Sequence, residues 1–486
     1  MPSYTIPSSV LIVGSGVFGL STAWALTQRP EYADTKITVV DNASACGGEF
    51  PPLDSASVDS SRIIRADYAD PHYAALAAVA QAEWRRQGDD ELGGQGRYSE
   101  SGLLLTADHP AATTTTTTKQ GKLTGMDYTK ESWRNVARIA REAGHPPDKV
   151  RILESAQALK EHLGTPGRPG DWGYLNTLSG WADAGEGMRW QYRRVKATGR
   201  VEFVDAHVAE LVTEGNRVVG AKLASGGVLR AELVFVAAGA WTGALIDVRG
   251  RVEATGHVVA YVDITPEERD VLARQPVVLN LTSGLFFIPP RDTVLKVARH
   301  SFGYLNPVAV PRALPPSPAA AAAQRRDGGR PIVASLPMTR RSGGPGRLPA
   351  EADADLRRAF RDLVPLRGLE DRPWRETRLC WYADTRDGDW LVDYHPGWEG
   401  LFVATGDSGH GYKFLPVLGD KVLDCIERRG GELGDKWKWK HVPEGDTVGR
   451  ETNGRFRGLI TEDGSRGGYP GMILEDELAR KAEAKL

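Results

Sequence analysis

The stretch SVLIVGSGVFG, residues 9–19, decides how the rest of this chain is read. Ser9–Val13 is a short apolar run of the kind that forms a buried strand. Gly14, Gly16 and Gly19 follow in a G-x-G-x-x-G pattern, then STAWALTQ with helical spacing, then Lys36–Asp41 (KITVVD), a second strand with an acidic end. In that setting each glycine has a task. The first permits a tight turn, the second lets backbone amides approach a pyrophosphate at the helix N-terminus, and the third allows close helix–strand packing. Asp41 can accept hydrogen bonds from both hydroxyls of a ribose, which argues against a 2′-phosphate. The spacing alone is weak evidence, because glycines suit any strand-to-helix turn, and it does not separate FAD from NAD.

The bulk numbers frame this start. A chain of 486 residues has room for two or three domains, and 41% hydrophobic with 26% charged residues describes an ordinary globular protein. The net charge of −2 provides no global field for nucleic acid or an anionic membrane. Cys46, Cys380 and Cys425 make no disulfide framework, suggest a reducing compartment and lack metal-ligand spacing, so no metal is expected. The first residues, MPSYTIPSSV, do not read as a secretory signal, and no apolar run is long enough to span a bilayer. Ala484, Lys485 and Leu486 resemble the small–basic–Leu peroxisomal address, which would engage an import receptor; a cytoplasmic location is expected if the tripeptide is fortuitous.

Further along, residues 71–87 and 130–142 have helical periodicity, as do Ala354–Leu363 and 416–428, the last holding Cys425 at a core position. Strands are expected at Leu103–Thr106, Val201–Val204, Val218–Leu223, Glu232–Ala237, His257–Asp263, Gly284–Ile288, Thr293–Ala298 and Gly400–Ala404. The threonine run 113–118 reads as a polar loop. Five alanines flanked by prolines within 311–331 read as a surface excursion, too short for a helix on its own. From 430 onward the polar, Gly-rich sequence reads as a wrapping tail. The fold class is therefore α/β (α+β overall), a Rossmann-like nucleotide domain interrupted by a β-rich domain. The expected division is 1–95, 151–250 and 376–430 for the nucleotide domain, 96–150 and 251–375 for the substrate domain, and 431–486 for the tail.

Arg62 and Arg65 lie just past the first nucleotide unit; if that segment is helical, their spacing puts both guanidiniums near one face. They are either surface arginines or a pair with two roles, one against a cofactor and one forking a carboxylate. Here the sequence resembles a known family. GSGVFG, RIIRADY (62–68), Lys296 in VLKVARH, RLCWYADT (378–385) and GDSGHGYKF (406–414) together, in this order, are similar to the sarcosine oxidase-like flavoenzymes. That family includes monomeric sarcosine oxidase, pipecolate oxidase, fungal saccharopine oxidases and amadoriases, and the fungal amadoriase-like branch looks nearest. The resemblance spans 9–425 and leaves 107–150, 311–350 and the tail uncovered.

The resemblance implies FAD, bonded through the 8α-methyl of its ring to Cys380. It implies that Lys296 stabilises the anion formed as oxygen is reduced, that Arg62 stands beside the flavin, and that Arg65 and Lys413 hold a substrate carboxylate. Tyr412 would join them, and His300, four residues after Lys296, would sit near the substrate. Gly409, His410, Gly411, Tyr412 and Lys413 would bring amides to the flavin's pyrimidine end. Val17, Phe18, Ser61, Ile63, Val208, Ala238, Gly239, Trp241 and Trp381 complete the implied cofactor contacts. Amadoriases favour an acidic residue near the place of His300 and polar groups for the sugar, and no such set is evident in this sequence.

The implied function is oxidation of a secondary amine, an N-substituted or N-methyl amino acid. Hydride passes to flavin N5, an imine forms, and O2 becomes H2O2, which suits a peroxisome. An alternative is an alkaloid-pathway oxidase that converts an N-methyl tyrosine-type substrate to an imine trapped by ring closure to an isoquinoline. Fructosyl amino acid, saccharopine or pipecolate oxidation are further alternatives. An NAD-dependent dehydrogenase would leave Cys380 and Lys296 idle, and a catalytically dead flavoprotein is opposed by intact Arg65, Lys296 and Lys413. The expected partners are a small-molecule amine and O2, not nucleic acid or membrane, with a monomer as the working unit.

Overall fold

The computed structural model describes residues 4–44, 50–110, 123–326, 331–339, 348–442, 450–452 and 455–480. Cys46, the threonine run 113–118 and Ala484–Leu486 lie outside the described residues. Six strands form one sheet in the order Leu391–Tyr394, Leu401–Thr405, Leu233–Val236, Ser9–Val13, Lys36–Asp41, Val201–Asp205. Every neighbouring pair is parallel except the first. Ser9–Val13 is central, and its side chains alternate between two cores. Val10 and Ile12 bury against the helices Val17–Gln28 and Leu415–Ile426. Leu11 and Val13 bury with Leu211 and Val218 of an antiparallel three-stranded sheet on the opposite face. Burial on both faces is why these strands read as unbroken apolar runs.

The turn after the first strand has the backbone its glycines predict. Gly14 sits at φ +107°, and a Cβ there would stand 2.4 Å from the Ala237 oxygen. A Cβ on Gly19 would stand 1.9 Å from the Gly14 oxygen, so only glycine lets the helix approach the turn this closely.

A second, ten-stranded sheet carries most of the site. Its path is Met472–Ile473, Tyr304–Leu305, Glu253–Asp263, Val294–Arg299, Leu285–Ile288, Val277–Asn280, Leu103–Ala107, Trp172–Asn176, Val150–Leu153, with Glu376–Asp384 also paired to Glu253–Asp263. The helix Ala350–Leu363 covers one face through Leu356, Ala359, Phe360 and Leu363. Sheet membership differs from the division expected from sequence. Val150–Leu153, Trp172–Asn176 and Glu376–Asp384 belong here rather than to the nucleotide sheet, because long-range strand pairing leaves no local sequence mark.

Two local expectations are corrected. Pro318–Arg326 is a helix, started by Ser317, whose Oγ accepts from Ala320 N at 3.2 Å, and docked through buried Ala321; tertiary burial supplies what isolated alanines lack. Arg62–Ile64 is a strand paired with Gly180–Ala182, not a helix, so Arg62 and Arg65 do not share a face.

The C-terminal segment docks rather than trails. Trp437, at the end of the helix Gly431–Trp437, is fully buried beside Trp390, with ring centroids 4.7 Å apart, and donates from Nε1 to Tyr73 OH at 2.9 Å. Residues 459–474 continue along the ten-stranded sheet, where Leu474 reaches its core. Trp437→Ala should lower unfolding stability by about 3–5 kcal/mol, as for other large core truncations. Urea denaturation followed by circular dichroism would check this, and a loss below ~1 kcal/mol would show that the segment is not integral to the core.

Candidate active site

At the nucleotide end, the helix Val17–Gln28 starts at Gly16 with no side-chain cap at its N-cap, although Val17 N donates to Ser57 Oγ at 3.0 Å. Uncapped amides at a helix start suit a phosphate. Asp41 Oδ2 accepts from Ser15 N and Ser15 Oγ, both at 2.7 Å, and Oδ1 accepts from Asn42 N at 2.8 Å. Burial raises the Asp41 pKa, and these hydrogen bonds oppose the rise. Ala238 precedes Gly239, which takes a positive φ of 52°, and the turn Gly239–Trp241 follows. Val208 is half-buried beside the same sheet. The side chain of Phe18 packs edge-on against Trp390, so only its backbone faces the helix start.

The strand after this unit brings Arg62 into a buried ionic knot. Arg62 donates to Asp59 Oδ2 at 2.8 Å, to the Ala56 carbonyl at 2.6 Å and to Cys380 Sγ at 3.1 Å. Lys296, 3% exposed, donates to Asp59 Oδ2 and to the Ser61 carbonyl, each at 2.7 Å. Tyr261 OH donates to Asp59 Oδ1 at 2.5 Å. Burial would raise the Asp59 pKa, but Lys296, Arg62 and Arg378 outweigh it and hold the carboxyl well below its usual range. Lys296 and Ser61 also line an outer cleft of about 590 Å³.

Lys296 and Ser61 also border a smaller chamber of about 70 Å³. It brings together Ser61, Arg62, Ile63, Arg65, Lys296, His300, Gly409, His410, Tyr412 and Lys413, all expected from sequence, with Leu279, Phe286, Ile288 and Tyr382, which were not. Arg65 is buried, its Nη1 has no hydrogen-bond partner, and its guanidinium lies 4.8 Å from the Tyr68 ring centroid. Burial, with Arg65 next, drives the Lys413 pKa well below that of an ordinary lysine. His300 is held neutral by burial and by the charge of Arg466. Buried Arg65 offers a charged spare donor, and an anion bound beside it would favour the charged form of Lys413, so the site suits an anion.

A directed hydrogen-bond chain fixes Lys413. His410 Nε2 lies 2.8 Å from the Gly388 carbonyl, which can only accept, so Nε2 carries the proton. His410 Nδ1 then accepts from Tyr68 OH at 3.2 Å, and Lys413 Nζ donates to the Tyr68 oxygen at 2.9 Å. Tyr412 lines the chamber, yet its hydroxyl is aimed at the carbonyls of Asp183 and Ala184, both at 3.4 Å, so its donor is engaged away from the chamber.

The remaining wall is built from residues not expected as site residues, among them Tyr382 and Asp384 of the RLCWYADT motif. Tyr382 stacks on His257 with centroids 3.8 Å apart. Thr255 Oγ1 donates to Asp384 Oδ2 at 2.5 Å and therefore accepts from His257 Nε2 at 2.9 Å. Arg466, from the C-terminal segment, donates to Asp384 at 2.5 Å, to the Ser408 carbonyl at 2.9 Å and to the Ser301 carbonyl at 3.3 Å. It thus ties together the chain after His300, the end of the cysteine strand and the GDSGHGYK turn. Ser465 Oγ lies 3.5 Å from His300 Nε2. Sequence offered no signal for Arg466 or His257, because both act across the chain at long range. Trp381 is corrected as a side-chain contact: strand alternation turns it away from Cys380 and Tyr382 into the opposite core, where Nε1 donates to the Met338 carbonyl at 3.0 Å. Trp241 packs against that same core.

The residues present fit FAD. The uncapped helix start and Asp41 suit its pyrophosphate and ribose, while a free, buried thiol at Cys380 and the unpartnered Arg65 donor mark the far end. Comparison with known proteins agrees. The family model described as FAD dependent oxidoreductase (DAO) matches residues 9–424. Amino acid oxidase imqH of Aspergillus flavus is 34% identical over 460 residues, covering 86% of this chain and 93% of the relative. Amino acid oxidase fsqB of Aspergillus fumigatus is 33% identical over 480 residues, covering 88% and 94%. L-saccharopine oxidase of Schizosaccharomyces pombe is 27% identical over 449 residues, covering 88% and 92%. Among solved structures, the fructosamine oxidase amadoriase II of Aspergillus fumigatus superposes with a TM-score of 0.71 at 25% identity, covering 96% of each chain. With a family match running from the first strand to the last helix of the nucleotide sheet, the chain belongs to the FAD-dependent oxidoreductase family.

Proposed function

We propose that this enzyme oxidises a secondary amine, an N-substituted α-amino acid, with O2 as the final acceptor. The observation that carries this reading is the pairing of Arg65 and Lys413 in a buried chamber that also holds Lys296 and a neutral His300. When bound, FAD supplies the two-electron acceptor that takes hydride from the carbon next to nitrogen and passes the electrons to O2. The chain's residues do the rest. Arg65 offers its unpartnered Nη1 to the substrate carboxylate, and Lys413 is oriented beside it by Tyr68. Neutral His300 is an acceptor for the substrate's N–H. Lys296, on the side of the outer cleft, supplies the positive charge that favours reduction of oxygen. Cys380, 3.1 Å from Arg62 and otherwise free, is the proposed thioether link to FAD.

A second reading narrows the substrate. Among the described residues lining the chamber there is no carboxylate or amide side chain, while Phe286, Tyr382 and Tyr412 are aromatic. A fructosyl group wants acceptors for its hydroxyls, so this lining favours an N-methyl aromatic amino acid of the tyrosine type, whose imine its own ring could trap. The similarity to the imqH and fsqB amino acid oxidases, at 34% and 33% identity, supports an amino acid substrate. One chain supplies every group that lines the chamber, in keeping with a monomer.

Anaerobic bleaching of the flavin should occur with N-methyl-tyrosine, and not with fructosyl-valine; bleaching by fructosyl-valine alone would sink the reading. Sarcosine, pipecolate and saccharopine complete the panel. Arg65→Ala should weaken carboxylate binding by about 2–4 kcal/mol, seen as a raised apparent Kd in flavin difference spectra; an unchanged Kd would remove Arg65 from the carboxylate site. Cys380→Ala should release its yellow colour into the supernatant on acid precipitation, whereas wild type keeps it in the pellet. Colour retained by the variant's pellet would rule out this link.

A further inference from the structure

Asp59 lies outside every motif that marked the site, yet its side chain is fully enclosed there. Oδ2 accepts from Lys296 Nζ at 2.7 Å and Arg62 Nη1 at 2.8 Å, while Oδ1 accepts from Tyr261 OH at 2.5 Å and Ser60 N at 2.7 Å. The Arg378 guanidinium stands 3.9 Å from Oδ2. The groups facing Lys296 are therefore Asp59 from the loop before the strand Arg62–Ile64, Arg62 at that strand's start, Arg378 from Glu376–Asp384, and neutral Tyr261 from Glu253–Asp263. Neutral His300 follows on the lysine's own chain. One carboxylate with no exposed side-chain surface opposes three cations where the group borders the outer cleft.

We propose that Asp59 is a positioning residue for the oxygen half-reaction: its carboxylate anchors the Lys296 ammonium and keeps it charged. This rests on the oxygen role given to Lys296 above. An ammonium has three donors. Two are committed, to Asp59 and to the Ser61 carbonyl, which fixes Nζ and leaves the third for oxygen. The balance is simple: the amine loses two electrons and two protons in becoming an imine, and O2 gains them to become H2O2. Charge on Lys296 matters at the first electron, when oxygen turns anionic. Burial lowers the Lys296 pKa to about 8, and Asp59 holds it up against Arg62 and Arg378. Without that carboxylate, desolvation and two flanking guanidiniums favour the neutral amine.

Stopped-flow reoxidation of the substrate-reduced holoenzyme by O2, followed across pH, tests this. The wild-type rate should fall as pH rises through about 8. In Asp59→Asn that fall should move down by about one pH unit or more. Lys296→Met should be slow throughout, and adding Asp59→Asn to it should create no new pH dependence. A fall that stays in place in Asp59→Asn overturns the proposal. Lys296→Met reoxidising like wild type overturns the oxygen role itself, and the proposal with it. A readout without turnover is the unfolding free energy of wild type relative to Lys296→Met. It should rise with pH between about 8 and 10.5, where the unfolded lysine keeps a proton that the folded one has lost. In the Asp59→Asn background the rise should begin at lower pH, and an unmoved onset counts against the proposal. Should Asp59→Asn not fold, Arg378→Gln carries the test: removal of one competing cation should move the wild-type fall upward, and no movement overturns the proposal.

Discussion

The ion pair between Asp59 and Lys296, 2.7 Å long and almost entirely buried, is where the nucleotide-side loop meets the ten-stranded sheet. Burying two charges is costly, and their attraction offsets that cost only when the remaining hydrogen-bonding capacity is met. Here it is met, by Tyr261, Ser60, Arg62 and the Ser61 carbonyl. The pair also specifies register. Lys296 lies opposite Tyr261, and Tyr261 lies opposite Glu376 on the cysteine strand. A slip of one residue would drive the lysine into the core occupied by Leu295 and Val297.

The same period of two sorts the cysteine strand. Cys380 and Tyr382 face the core shared with the nucleotide side, while Trp381 faces the other core. One strand therefore contributes a thiol and a chamber wall from one face and structural packing from the other. Three sections of chain far apart in sequence converge on that wall, and the charge of Arg466 joins them. His257 connects this ionic group to the chamber through its stack on Tyr382, so the buried polar network acts on the site through an aromatic surface.

Much of this was legible in the sequence. The strand–turn–helix–strand unit announced itself because its apolar runs and glycines answer local demands, those of a doubly buried strand and a close backbone approach. Lys296, Cys380, Arg65 and Lys413 were found by ordered resemblance, and the chamber gathers Lys296, Arg65 and Lys413, with Cys380 held beside Arg62. The polarity of the chain, by contrast, could not reveal Asp59, His257 or Arg466. An aspartate, a histidine and an arginine are ordinary surface residues until long-range pairing encloses them. The strand at Arg62–Ile64 was also not legible locally: its pairing partner, Gly180–Ala182, is distant in sequence. The helix Pro318–Arg326 likewise draws its stability from docking, which alanine content does not report.

Arg466 has one more consequence. It is the last-made member of the active-site wall, and its three acceptors, on Asp384, Ser408 and Ser301, are all synthesised before it. During translation the chamber wall therefore stays unfastened until the segment that carries Arg466 has left the ribosome. A product truncated upstream of this arginine would retain every motif from GSGVFG to GHGYK and still lack the clasp that gathers them.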